Sequence, residues 1–152
     1  MNSPLDKGRY IGAAITDLVI SYDLFNQRLE RLMKPLGLNM TQMSLLSHFA
    51  RNGEKPFTIS YLVSVMAINQ SGLTKAVKSM VEKGWLSKQA DESDGRVQWL
   101  TLTSKGRDAL MQAQQATYPT LLEGFACFDE EGLKAFAEQL QALKRNLDST
   151  RP

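Results

Sequence analysis

Phe57 to Gly106 reads FTISYLVSVMAINQSGLTKAVKSMVEKGWLSKQADESDGRVQWLTLTSKG, and the fold turns on its punctuation. Thr58 is suited to cap a short helix carrying Ile59, Leu62, Val63 and Met66 at helical spacing. Asn69 is suited to cap the next helix, whose apolar positions are Leu73, Val77, Met80 and Val81. Gly84 ends that second helix, being the residue type that adopts the left-handed conformation at least cost. Two helices joined by so short a turn cross steeply, as in a helix-turn-helix. Trp85 to Ala90 and Val97 to Leu102 are rich in strand-forming residues. DESDGR between them supplies turn residues and charge, so the pair reads as a hairpin with a charged tip. Thr103 then caps a new helix.

On the N-terminal side, Ser3-Pro4 with Asp6 reads as a helix start, and Pro35 with Gly37 as its end near Lys34. Ile11, Ile15, Leu18, Tyr22, Phe25, Leu29 and Leu32 alternate spacings of four and three, a heptad-like seam broadened by Ala14, Val19 and Met33. A helix this long in a small domain cannot bury its whole stripe against its own chain, so part of it is expected to pack on a partner. The competing reading is an ordinary amphipathic core helix. Leu36-Gly37-Leu38 reads as a loop, and Thr41 as the cap of a helix through Leu45, Leu46 and Phe49. Arg51 to Pro56 is a polar connector.

On the C-terminal side, the helix begun by Thr103 carries Ala109, Leu110, Ala113, Thr117, Leu121 and Phe125, with Pro119 inside it. Proline removes a backbone donor and crowds the preceding turn, which predicts a kink near Ala116 to Tyr118. Asp129 caps a final helix, with Glu130 and Glu131 placed well for its dipole. Leu133, Phe136, Leu140, Leu143 and Leu147 form a second heptad-like stripe, and Asp148 to Pro152 reads as a frayed tail. The expected layout is mainly α: a dimerisation helix over 1–36, a helix-turn-helix with a two-stranded wing over 37–103, and dimerisation helices over 104–152, in one compact domain. Ile11, Ile15 and Leu18 with Leu133, Phe136, Leu140, Leu143 and Leu147 are the predicted dimer residues.

The chain of 152 residues is long enough for a real core, and 43% hydrophobic with 22% charged residues is ordinary for a globular protein. No apolar run is long enough to span a bilayer, and MNSPLDKGRY is no signal peptide, so a cytoplasmic protein with no membrane partner is expected. The single cysteine, Cys127, excludes an intramolecular disulfide framework, and a small buried role is expected for it. Net charge is only +2. From Asn69 to Arg107, however, seven basic residues meet four acidic ones, a local excess of three. Alone that would read as a solvated mixed surface; within a helix-turn-helix it points toward nucleic acid.

From Gly84 onward the residues resemble the MarR family of bacterial transcriptional regulators. The family pattern is matched by Gly84, by Trp85 and Leu86, by Lys88, by Asp91, by Asp94 with Arg96, by Leu102 with Thr103, and by Gly106. The similarity in layout extends over nearly the whole chain, and the wing is its specific part. The resemblance implies a homodimer that binds double-stranded DNA at an inverted-repeat operator. It also implies repression, with release by a small phenolic or anionic ligand bound between the DNA-binding and dimerisation parts. No residue is assigned to that ligand. An activator or counter-silencer on the same fold, and a winged-helix interaction module that no longer binds DNA, are the alternatives.

A helix entering the major groove reads bases from its N-terminal part. Here that part offers Gln70, Ser71 and Thr74 as hydrogen-bonding groups, Gly72 for close backbone approach, and Lys75 and Lys78 for phosphate, with Ser60 before them. Local capping chemistry is the competing reading of Gln70, Ser71 and Thr74. At the wing, the resemblance puts Arg96 in the minor groove with Asp94 orienting it, and Lys88 as a basic neighbour. Gly95 and Gln89 stand where the family often has further basic residues. Both departures reduce charge, implying weaker binding or more dependence on the helix. Nothing predicts catalysis. Gly8 and Gly12 lack the spacing and strand context of a phosphate loop, and Cys127 with His48 is the only nucleophile–base pair on offer. One histidine builds no metal site, and none is expected, nor any cofactor. The family's peroxide sensors carry a cysteine near the start of the first helix, which this chain lacks.

Overall fold

The computed structural model describes residues 4–53 and 55–150. Its elements are α1 (Pro4–Met33), a 3₁₀ turn (Lys34–Leu36), α2 (Met40–Arg51), β1 (Phe57–Thr58), α3 (Ile59–Val65), α4 (Gln70–Glu82), β2 (Leu86–Ala90), β3 (Gln98–Leu102), α5 (Ser104–Phe125) and α6 (Glu130–Ser149). The chain divides into two compact units within α5, one ending at Thr117 and the other starting at Tyr118.

The first unit holds the core. Leu45, Leu46 and Phe49 of α2, Leu62 of α3, Leu73, Val77 and Met80 of α4, Leu86 and Leu100 of the sheet, and Leu110 and Ala113 of α5 are buried together. Among the described residues of α1, Met33 alone is buried in that cluster, with Leu29 packed against it. Residues 6–24 of α1 are exposed all round, Ile11 at 56%, Ile15 at 55% and Leu18 at 39%. The ordinary core-helix reading of α1 therefore fails over most of its length.

Helix ends follow local chemistry. The expected cap Ser3 lies outside the described residues. α2 starts earlier than Thr41 implies: the Asn39 side chain accepts from Gln42 N at 2.9 Å, and Gln42 Oε1 accepts from Asn39 N at 3.2 Å. That reciprocal capping box satisfies two orphan donors at once, which a threonine inside the first turn cannot do. Thr58, Asn69 and Asp129 cap α3, α4 and α6 as the sequence predicts. Gly84, with φ +73°, closes α4: its N–H reaches Val81 O at 2.9 Å and Trp85 N–H reaches Met80 O at 2.8 Å. This is the paired-bond helix end that a left-handed glycine allows.

The hairpin gains a strand. Phe57 and Thr58 pair antiparallel with Leu100 and Trp99, giving a three-stranded sheet in the order β1-β3-β2. β2 and β3 pair from Leu86↔Leu102 to Ala90↔Gln98, one residue shorter at their starts than the sequence suggests. His48 is only half-buried, packing its ring 5.2 Å from Phe57 and 6.0 Å from Tyr61. Loss of water and the nearby Arg51 hold its pKa below the ordinary histidine value.

In the second unit, Phe125, Phe128 and Phe136 form an aromatic cluster, with Phe128 and Phe136 stacked at 5.2 Å. Leu133, Leu143 and Leu147 of α6 are exposed, and Phe136 and Leu140 are half-covered. α6 reaches Ser149, so Asp148 is helical rather than part of a tail. α5 continues through Pro119 to Phe125. Cys127 is exposed, against the expectation of a small buried role: it sits in the short link between α5 and α6, outside any packed face.

Candidate nucleic-acid interface

α4 divides by face. Leu73, Ala76, Val77 and Met80 are buried, while Gln70, Ser71, Thr74, Lys75 and Lys78 are exposed. The exposed set starts in the first turn, at the positive end of the helix dipole, and continues for two and a half turns. Asn69 Oδ1 accepts from Gly72 N at 2.8 Å and from Ser71 Oγ at 3.2 Å. Ser71 is thus engaged in the cap, while no such bond ties Gln70 or Thr74 among the described residues. A Cβ added at Gly72 would lie 3.1 Å from Asn69 Oδ1, so this glycine makes room for the cap. Ser60 is exposed in the first turn of α3.

Two polar ties seat α4 on the elements behind it, and neither was legible in the sequence. Gln42, 2% exposed, donates from Nε2 to Ser79 Oγ at 3.2 Å while its oxygen completes the α2 cap. Both ends of that amide are engaged, which is what burial of a polar side chain demands. Lys83 Nζ donates to Gly37 O and lies 4.5 Å from the centre of the Trp85 ring. One of the basic residues counted toward the local excess is therefore tied up inside the fold. Lys75 and Lys78 remain exposed for an outside partner.

At the hairpin tip, Arg96 and Lys88 are exposed. Asp94 Oδ1 accepts from the backbone N–H of Arg96 at 3.0 Å. It shapes the turn rather than gripping the guanidinium, for which no hydrogen bond or ion pair exists among the described residues. Asp91 is the hub that sequence reasoning left without a role. Its Oδ1 accepts from Ser93 N, Ser93 Oγ and Asp94 N at 2.9, 2.6 and 3.1 Å, and its Oδ2 accepts from Trp99 Nε1 at 2.8 Å. The Ser93 hydroxyl, then the Trp99 indole, then the two backbone N–H groups hold the Asp91 carboxyl well below the usual carboxylate range.

A short helix, a tight turn, a second helix with one polar exposed face, and a hairpin ending in a free arginine define a winged helix-turn-helix protein. Comparison with known proteins is specific: residues 36–97 match the MarR family. Over that stretch the chain is similar to the MarR family. It is 26% identical over 125 residues to the HTH-type transcriptional repressor IacR of Pseudomonas putida, covering 82% of this chain and 74% of that protein. Its fold is similar to Sco3205 of Streptomyces coelicolor, a MarR family regulator solved in complex with DNA: TM-score 0.77, 20% identity, 93% of this chain and 91% of that one. It is also similar to the organohalide-sensing regulator RdhR-CbdbA1625 in its 2,4-dichlorophenol-bound form: TM-score 0.76, 17% identity, 95% and 83% covered. No described helix is long and apolar enough to cross a membrane.

Proposed function

We propose that this protein is a cytoplasmic, homodimeric repressor that binds an inverted-repeat operator in double-stranded DNA and leaves it on binding a small phenolic or anionic molecule. Its role is regulatory rather than catalytic. The observation that carries the DNA part is the exposed face of α4, where Gln70, Thr74, Lys75 and Lys78 lie together at the helix start. Repression is supported by similarity to a repressor, and the ligand class by a structural neighbour solved with a chlorophenol. Selection of genomic fragments by the purified protein tests the whole reading. Recovery of one inverted repeat beside a regulated gene is the expected result, and recovery of no preferred sequence would sink it.

Residue roles divide cleanly in binding assays. Lys78→Ala removes a phosphate contact, so affinity for all sequences falls alike and the log–log salt slope flattens by about one unit. Gln70→Ala costs roughly 1–3 kcal/mol on the operator and little on random DNA. Equal losses on both DNAs would show that Gln70 reads no base.

Two α4 helices related by a two-fold axis need half-sites about one helical turn apart, roughly 34–36 Å. Arg96 then reaches the minor groove at the outer flanks, where A/T-rich sequence narrows the groove and deepens its negative potential. Arg96→Lys keeps the charge but loses the planar multi-donor head, and retains affinity better than flank preference. Arg96→Ala loses more of both. Affinities for one operator with A/T- or G/C-rich flanks, at fixed salt, check this. A wild-type protein indifferent to its flanks removes the wing from the reading.

A further inference from the structure

The tip of the wing is held from one side by a single side-chain pair. In the β2–β3 ladder Gln89 faces Trp99 and Ala90 faces Gln98. Alternation along β2 puts Asp91 on the same face as Gln89, diagonal to Trp99 and within reach of its long indole. The two carboxylate oxygens have separate tasks. Oδ1 gathers the turn through Ser93 and Asp94, and Oδ2 takes the indole N–H of β3. Beyond Asp91, Asp91 N–H reaches Val97 O, Val97 N–H reaches Asp94 O, Arg96 N–H reaches Asp94 Oδ1, and the Gln98 amide reaches Gly95 O. The backbone under Arg96 is thereby fixed while its guanidinium is left free. On the other side of β3, Trp99 pairs with Thr58, the cap of α3.

We propose that Asp91 and Trp99 form a clasp that positions Arg96, and that this clasp, more than the charge of the wing, sets the preference for DNA flanks. The inference rests on the DNA-binding reading above and adds positioning residues to it. The clasp joins the start of the helix-turn-helix to the arginine through an unbroken series: Thr58, Trp99, Asp91, the 93–96 turn, Arg96. Only a carboxylate suits the middle of that series. Asparagine would offer one oxygen to the turn and present its NH₂ group to the indole N–H, donor against donor. The lowered pKa of Asp91 keeps the clasp charged, hence in its strong form, throughout the working pH range. Because the pair lies at the surface, its effect on overall stability is small and its effect on geometry is what the experiment reads.

The test uses the full-length protein and a duplex selected by it from a random-sequence pool, synthesised with A/T- or G/C-rich flanks. Asp91→Asn and Trp99→Phe are each expected to leave melting temperature and half-site discrimination unchanged. Each should lower affinity for the A/T-flanked duplex by roughly three- to tenfold, the size of one misplaced charge-assisted contact, and affinity for the G/C-flanked duplex less. Combined, they should lose no more than either alone, since each breaks the same bond. In an Arg96→Ala background neither should have any further effect. If Arg96→Ala loses flank preference while Asp91→Asn and Trp99→Phe keep it, the clasp is rejected and the wing reading survives. If Arg96→Ala itself keeps wild-type preference, the wing reading fails and the clasp with it. Lower melting temperature with equal losses on both duplexes makes the pair merely structural and overturns the proposal.

Discussion

Gly106→Ala is expected to destabilise the protein by about 3 kcal/mol or more, the upper end of overpacking effects, and to abolish DNA binding at growth temperature. A Cβ at this position would sit 2.2 Å from Trp85 O and 2.7 Å from Leu102 Cδ1. The first of these is backbone, and it cannot retreat cheaply. Trp85 O already accepts from Thr103 N at 3.1 Å and Thr103 Oγ1 at 3.0 Å, and the same threonine oxygen accepts from Gly106 N at 3.0 Å. These bonds weld the end of α4, the start of β2 and the first turn of α5 at one point. Relief of the clash must break at least one of them or move the sheet. Denaturant titration measures the loss. A midpoint within error of wild type would mean that the joint opens freely and that close packing here is incidental.

On the proposed dimer, truncation after Asp129 is expected to leave a folded monomer and to lower operator affinity by about 100-fold or more, since coupling of two half-sites is what avidity supplies. The chain should still fold, because the buried cluster of the first unit, from Met33 to Ala113, lies wholly before the cut. What is lost is the stripe of Leu133, Phe136, Leu140, Leu143 and Leu147, of which three leucines stand exposed in the single chain. Sedimentation at micromolar concentration reads the oligomeric state directly. A truncated protein that still pairs and holds its operator would move the interface to α1 alone.

What the sequence disclosed was mostly local. Asn69, Thr58, Asp129 and Gly84 act within four residues of themselves, so their roles follow from residue type and spacing. The capping box at Asn39 was equally local, and Thr41 drew attention from it only because threonine caps so often elsewhere. Distant partners were not legible. β1 is two residues long, too short for any periodicity, and exists because the outer edge of β3 offers it a ladder. Gln42 with Ser79, and Lys83 with Gly37, need the packing of the surrounding elements on α4 before they can be seen. The base-reading set Gln70, Ser71, Gly72, Thr74, Lys75 and Lys78 does share one helix start, but the serine and the glycine serve the cap. Asp91 belonged to the recognised wing pattern, yet its tie to Trp99 depends on strand register, which a hairpin of unknown turn length does not reveal.

The bare stripe of α1 also bears on gene dosage. If the proposed dimer is what covers Ile11, Ile15 and Leu18, exposed in the single chain, the working form is made in proportion to the square of the chain's concentration, as long as free chains predominate. Halving synthesis would then quarter the amount able to occupy an operator. Control by such a protein sharpens with expression level before any ligand enters the account, and excess single chains, carrying exposed apolar surface, become substrates for quality control rather than a silent reserve.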